Sequence, residues 1–184
     1  MKLYFAYGAN LNTESMRYRC PDAVEVMPFY LADYRLTFSG VASIQPAKGE
    51  FVAGALWAIS EEDERALDCF EGWPMLYRKE TITADGMEIM FYRMNDERPL
   101  EPSINYVMTI AEGYQDWDLD LSYLTEAVAT TQGEVYDLYR STHNTTGHGG
   151  LHPVVEDDVY MESGDDVRWL RDVWHADRDT DTVQ

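Results

Sequence analysis

Basic residues are scarce in this sequence. Against 34 Asp and Glu it has 14 Lys and Arg, and the formal net charge is −20. Only Lys2, Lys48 and Lys79 are lysines. A chain of that sign repels a phosphate backbone, which excludes a conventional nucleic-acid binder. Cysteine is almost absent too. Cys20 and Cys69 show no CxxC spacing, so neither a disulfide framework nor a dithiol redox pair is indicated. Each reads as a small buried hydrophobe. No apolar run approaches the roughly 20 residues of a membrane helix. The run after Lys2 is too short for the core of a signal peptide. These absences point to a cytoplasmic protein with no membrane contact.

What is present argues for a folded domain. The 184 residues are 45% hydrophobic and include 13 Tyr, 6 Phe and 5 Trp, unlike an aromatic-poor disordered acidic chain. The charge is not a detachable tail. Residues 1–59 hold five acids and five bases, 60–130 hold 17 and five, and 131–184 hold 12 and four. A solvated acidic surface accounts for this pattern. An acidic DNA mimic is the sharper alternative, and the dispersal of the acids counts against it.

Local patterns place the elements. Residues 3–6 read as a buried strand stopped by Gly8 and Asn10, and Asn12 or Thr13 can cap a short helix through Arg19. Tyr34, Leu36 and Phe38 alternate with polar residues as a half-buried strand, and 51–59 is apolar on both faces, as a central strand would be. Ser60 and Asp63 have the spacing of a capping box. The helix they start would bury Leu67 and Phe70 and end at Gly72. Residues 77–83 and 87–94 flank an Asp-Gly turn and read as a hairpin. Residues 104–110 are expected as a strand and 119–129 as a helix. The whole is an α+β domain, with a closed barrel among its possible forms. Residues 1–130 form the main domain. A 131–184 extension carries a Gly/His-rich loop over 141–153 and an amphipathic helix marked by Val167, Leu170, Val173 and Trp174.

Several motifs fail on chemistry. Asp116, Asp118 and Asp120 begin like a calcium loop, but Leu121 and Ala127 occupy the positions that need Gly and Glu. They read instead as a helix N-terminus with its acids toward the dipole. His143, His148 and His152 lack the regular spacing of a zinc site, so no metal is expected. The glycines around His148 lack the Lys and Ser/Thr of a phosphate loop.

Two segments keep a functional reading. Tyr7-Gly8-Ala9-Asn10-Leu11 joins a strand to a helix, where a glycine permits a tight turn and amides near the helix start point outward. Glu71 sits at a helix end between Phe70 and Trp73, which can desolvate it and raise its pKa toward that of a useful base. Read singly, each is equally a turn glycine and a surface glutamate. Together and in this order, "YFAYGAN" and the LDxxEG pattern at 67–72 resemble the γ-glutamylcyclotransferase-like family. The likeness continues through "DYRLTF" (33–38), "GALWAI" (54–59) and "PSINY" (102–106), covering roughly 3–130.

The resemblance implies a small mixed β-barrel flanked by helices and a cofactor-free reaction. In it the α-amine of a γ-glutamyl group attacks its own γ-carbonyl and releases 5-oxoproline with an amine or amino acid. Glu71 matches the family's catalytic glutamate. Tyr7, Gly8, Ala9, Asn10 and Leu11 match its substrate-binding loop, and Tyr77, Tyr92 and Tyr106 match pocket tyrosines. Ala9 departs from the family pattern, which often has Ser there, so one hydroxyl is lost while the amide remains. A non-catalytic protein that binds a metabolite or a partner on the same fold is the alternative reading. The implied ligand is a small γ-glutamyl compound. The −20 charge repels anionic glutathione and attracts a cationic leaving group, which favours γ-glutamyl amines.

Overall fold

A computed structural model of the chain describes residues 1–84 and 86–143. Along it lie β1 (Lys2–Ala6), a 3-10 turn (Ala9–Leu11), α1 (Thr13–Arg19), β2 (Val24–Phe38), β3 (Ala42–Ile59), α2 (Glu61–Glu71), β4 (Tyr77–Ala84), β5 (Met87–Met94), α3 (Ile104–Asp116) and α4 (Ser122–His143). The strands form one mixed sheet in the order β2-β3-β1-β5-β4. β1 is its middle strand, antiparallel to β3 with Phe5 opposite Leu56, and parallel to β5 with Tyr4 opposite Met90. Tyr4, Phe5 and Ala6 are all buried, as a strand covered on both faces requires.

The α+β class expected from the sequence is the observed one, but the sheet is open and not a closed barrel. β2 and β4 are its edges and do not pair with each other. Closure needs one consistent stagger around the whole ring, and the β2–β3 hairpin interrupts its own. Between Ala32 and Tyr34 the partner jumps from Phe51 to Pro46. Asp33 there adopts φ 62° and accepts the Gly49 N–H at 2.8 Å. A bulge of this kind bends the ribbon, and the start of β3 comes back to β5, where Ser43 Oγ accepts the Met94 N–H at 3.0 Å.

The capping box is formed: Asp63 N–H donates to Ser60 Oγ at 3.1 Å, and Ser60 N–H donates to Asp63 Oδ2 at 2.9 Å. α2 ends at Gly72, whose φ of 62° favours a residue without Cβ. It buries Leu67, but Phe70 and Cys69 are exposed, against expectation. The last turn of α2 covers a pocket instead of the core, so Phe70 has no sheet beneath it. Cys20 is buried as expected.

Residues 104–110 are helix and not strand. Their β-branched and aromatic content favours a strand, but Ser103 caps the segment by accepting from the Tyr106 N–H. Val107, Ile110, Ala111 and Tyr114, at helical spacing, make the buried face. Asp116 ends this helix, so the acids at 116–120 do not all lie at a helix start; Asp120 alone accepts the Ser122 N–H at the head of α4. α4 continues to His143, so 141–143, expected as loop, belong to its end. The rest of the Gly/His-rich loop and the expected helix around Val167 lie outside the described residues.

One contact fixes the chain segment that follows β1. α3 crosses the 3-10 turn at Gly113, where an added Cβ would lie 2.5 Å from Leu11 Cβ and 2.6 Å from the Asn12 nitrogen. Trp117 Nε1 donates to the Leu11 carbonyl at 2.9 Å just beyond. Gly113→Ala must therefore push the turn away from α3, at a cost of roughly 2–3 kcal/mol. Thermal or urea denaturation of the variant checks this, and stability equal to the parent would contradict the crossing.

Candidate active site

A pocket of about 190 Å³ opens where β1 ends. Tyr7 to Asn10 come from the loop after β1, Ala42 from the start of β3, and Phe70 and Glu71 from the last turn of α2. Tyr77 begins β4, Tyr92 lies on β5, and Tyr106 stands in the first turn of α3. Its size suits a group about as large as an amino acid, well below a drug-sized cavity.

Glu71 reaches this pocket half-buried and already held. Asn10 Nδ2 donates to Glu71 Oε1 and to the Tyr4 hydroxyl, both at 2.8 Å. The orientation of the Asn10 amide is set from behind, because an Arg19 guanidinium nitrogen donates to Asn10 Oδ1. Arg19 in turn stacks over the Phe70 ring, 3.4 Å from its centroid. Burial pushes the Glu71 carboxyl up to about 7, and the Asn10 hydrogen bond and the Arg19 charge hold it from rising further. A carboxylate so placed is a proton acceptor near neutral pH.

The tyrosine hydroxyls are polarised by their fixed partners. Tyr77 donates to the Ala42 carbonyl at 2.7 Å and Tyr7 donates to the Tyr92 carbonyl at 2.7 Å. With their protons engaged, both oxygens are left as acceptors. Tyr106 is the reverse: its oxygen accepts the Ala42 N–H at 3.1 Å and faces the Ala9 amide, so its own O–H remains to donate. Tyr92 uses its hydroxyl on Asp68 Oδ1 at 2.6 Å, and Lys79 holds that carboxylate at 2.7 Å. Tyr92 therefore offers the pocket its ring.

Of the residues that the sequence pointed to, Glu71, Tyr7, Gly8, Ala9, Asn10, Tyr77, Tyr92 and Tyr106 all line this one pocket. Leu11 does not. It is fully buried under α3; its N–H donates to the Gly8 carbonyl and its carbonyl accepts from Trp117. Gly8 is required by space more than by dihedral freedom, since its φ is −118° and a Cβ would lie 3.1 Å from Ala42 Cβ. Sequence reasoning missed Tyr4, Arg19, Asp68, Val41, Ala42 and Leu76. The i, i+3 spacing of Asp68 and Glu71 was the one available signal, placing both on neighbouring positions of a helix. A larger open depression of about 430 Å³ beside Lys2, Glu64 and Lys79 has these charges paired with one another. Among the described residues no group of three His, Cys, Asp or Glu is placed to hold a metal ion. His148 and His152 lie outside the described residues.

Comparison with known proteins agrees with this geometry. The family model described as "Gamma-glutamyl cyclotransferase, AIG2-like" matches residues 4–119. A Bos taurus protein named gamma-glutamylcyclotransferase is 32% identical over 139 residues, an alignment spanning 66% of this chain and 74% of that one. Its Homo sapiens namesake is 30% identical over the same shares. A solved structure named gamma-glutamyl cyclotransferase superposes with a TM-score of 0.58 at 26% identity, over 68% of this chain and 85% of its own. The matched segment runs from Tyr4 on β1 through α3 to Leu119 and so contains every element that lines the pocket. The chain belongs to the γ-glutamyl cyclotransferase, AIG2-like family.

Proposed function

We propose that this chain is a γ-glutamylcyclotransferase that cleaves a small γ-glutamyl amide into 5-oxoproline and an amine or amino acid. The observation that carries the reading is Glu71, fixed by Asn10 at the wall of an amino-acid-sized pocket and pushed up to about 7. Among the described residues no Ser, Thr, Cys or His lines that pocket. The lining thus offers no side-chain nucleophile of the Ser or Cys kind, and a reaction whose nucleophile belongs to the substrate fits it.

The proposed steps move protons and acyl bonds only. Tyr7 and Tyr77 oxygens, left as acceptors, receive the substrate's α-ammonium, and Glu71 takes one proton from it. The freed amine attacks the γ-carbonyl carbon, forming the ring C–N bond. The Tyr106 hydroxyl and the amides of the Tyr7–Asn10 loop face the oxygen on which negative charge develops. Protonated Glu71 then delivers its proton to the departing nitrogen as the exocyclic C–N bond breaks and the carbonyl re-forms. Glu71 takes the surplus proton of the ring nitrogen, leaving the lactam N–H, and passes it to the released amine, which departs as an ammonium. Nothing is oxidised, and no water is consumed, so the chemistry calls for no cofactor. Because attack is intramolecular, the chief task is to hold the glutamyl chain folded, and rigidly anchored tyrosines are suited to that.

Glu71→Gln should lower kcat by roughly 10²–10⁴-fold in an assay of 5-oxoproline release. The same change should stabilise the fold at alkaline pH. The folded-state pKa of Glu71 is raised from 4.5, so the protonated carboxyl favours folding at low pH and that stability is lost as pH rises through about 7. Removing the charge should therefore raise Tm at pH 8, by an amount corresponding to on the order of 3 kcal/mol, and leave Tm at pH 4 nearly unchanged. A variant with full turnover would sink the assignment of Glu71.

The acid limb of kcat/KM should titrate near pH 7. Arg19→Met removes the charge that lowers the Glu71 pKa and releases the Asn10 amide, so the limb should move to higher pH. A limb that stays in place would show that Arg19 has no hold on the base.

A further inference from the structure

Resting on the cyclotransferase reading, the geometry points to the chemistry of the released group: we infer an amine with an uncharged apolar stem and no carboxylate. The pocket has two unlike ends. Tyr7, Tyr77 and Tyr92 are buried at its inner part, beside Glu71 and Asn10. Its outer wall is made by Val41, Phe70 and Leu76, which are 36%, 49% and 59% exposed. Outside this lining, the exposed Leu100 side chain packs on Gly40, the residue before Val41, and its carbonyl accepts the Gly40 N–H at 2.8 Å. Apolar side chains left in water around a pocket mouth mark a binding surface.

The reaction dictates what passes over them. Ring closure places the γ-carbonyl beside Glu71, and the exocyclic nitrogen points away from the new ring. Its substituent must leave the inner end and run along the exposed wall. There a carboxylate finds no partner among the described residues. Among the described residues Glu71 is the only charged side chain that lines the pocket. The cations of the neighbouring strands are already paired, Lys79 with Glu64 and Asp68, and Arg78 and Arg93 with Glu80 and Glu97. Arg98 is paired with Asp96. Arg19 is held behind Phe70 by stacking and by Asn10, and lines none of the pocket.

The net charge of −20 adds long-range repulsion of any anion. That field taken alone attracts a cationic tail. The wall met on arrival does not: Val41 and Leu76 carry no acceptor and the Phe70 ring already has the Arg19 guanidinium over it, so an ammonium pressed against them loses hydration without replacement. An alkyl stem gains from the same contact.

Three substrates with one four-carbon stem separate these chemistries: γ-glutamyl-n-butylamide, γ-glutamyl-4-aminobutyrate and γ-glutamyl-1,4-diaminobutane. The full-length protein should show a kcat/KM for the butylamide at least roughly tenfold above either charged compound, the low end of what a methylene is worth in an apolar pocket. Leu76→Arg, at an exposed position, should shrink the butylamide-to-aminobutyrate ratio by about tenfold. If either charged compound matches the butylamide, or the ratio is unmoved by Leu76→Arg, the inference is overturned and the cyclotransferase reading stands. Absence of 5-oxoproline from all three and from γ-glutamylglycine overturns both.

Discussion

The side chain of Asn10 ties the site together. It is buried, and each of its polar atoms has a partner on another part of the chain: Tyr4 on β1, Glu71 at the end of α2, and Arg19 at the end of α1. A buried amide is costly unless so satisfied. The arrangement therefore specifies the relative placement of three elements and, with it, the direction from which Glu71 enters the pocket. Because Arg19 occupies the amide oxygen, the nitrogen must face Glu71, and a donor facing a carboxylate favours its charged form. Without that opposition, burial alone would carry the carboxyl further from the range in which it can accept a proton at neutral pH.

The tyrosines follow the same logic. Three of them, Tyr7, Tyr77 and Tyr106, wall the pocket with hydroxyls whose roles are set by backbone partners and not by other side chains. Strand and helix backbone hold position better than long flexible side chains, so donors and acceptors are arranged before a ligand arrives. Ala42 is central to this: its carbonyl takes the proton of Tyr77 and its amide donates to Tyr106, giving two tyrosines opposite polarity from one residue. The bulge near Asp33 bears on this, since the bent hairpin brings the start of β3 back over β5 and the pocket.

The outer surface is under a different constraint. Its acids far outnumber its bases, and the cations near the site are taken up in local pairs, such as Lys79 between Glu64 and Asp68. Such partly exposed pairs add little stability each. Their consequence for the site is that the described residues leave no spare positive charge at the mouth, where exposed apolar side chains stand instead.

How much was legible in the sequence depended on the range of the forces involved. The capping box of α2, the Asp-Gly hairpin and the alternation of Tyr34, Leu36 and Phe38 are short-range signals, and each element forms where it is written. α3 was misread because Ile104, Tyr106 and Val107 favour a strand by composition, while Ser103 and the helical spacing of its buried residues carried the contrary signal. The exposed first half of β2 escaped notice because pairing with the second half of β3, not burial of its own side chains, keeps it extended. Glu71 and the loop from Tyr7 to Asn10 stood out through the family's local patterns. By itself, then, the sequence determined β1, the core of β3, the β4–β5 hairpin, the sign of the net charge and the family's local patterns. Tertiary structure alone decided that Leu11 packs under α3, that the sheet stays open, that Asp68 takes the Tyr92 hydroxyl and that Arg19 orients Asn10. Each of these depends on residues of different elements meeting in space, most of them far apart in the chain, and no local spacing encodes such a meeting.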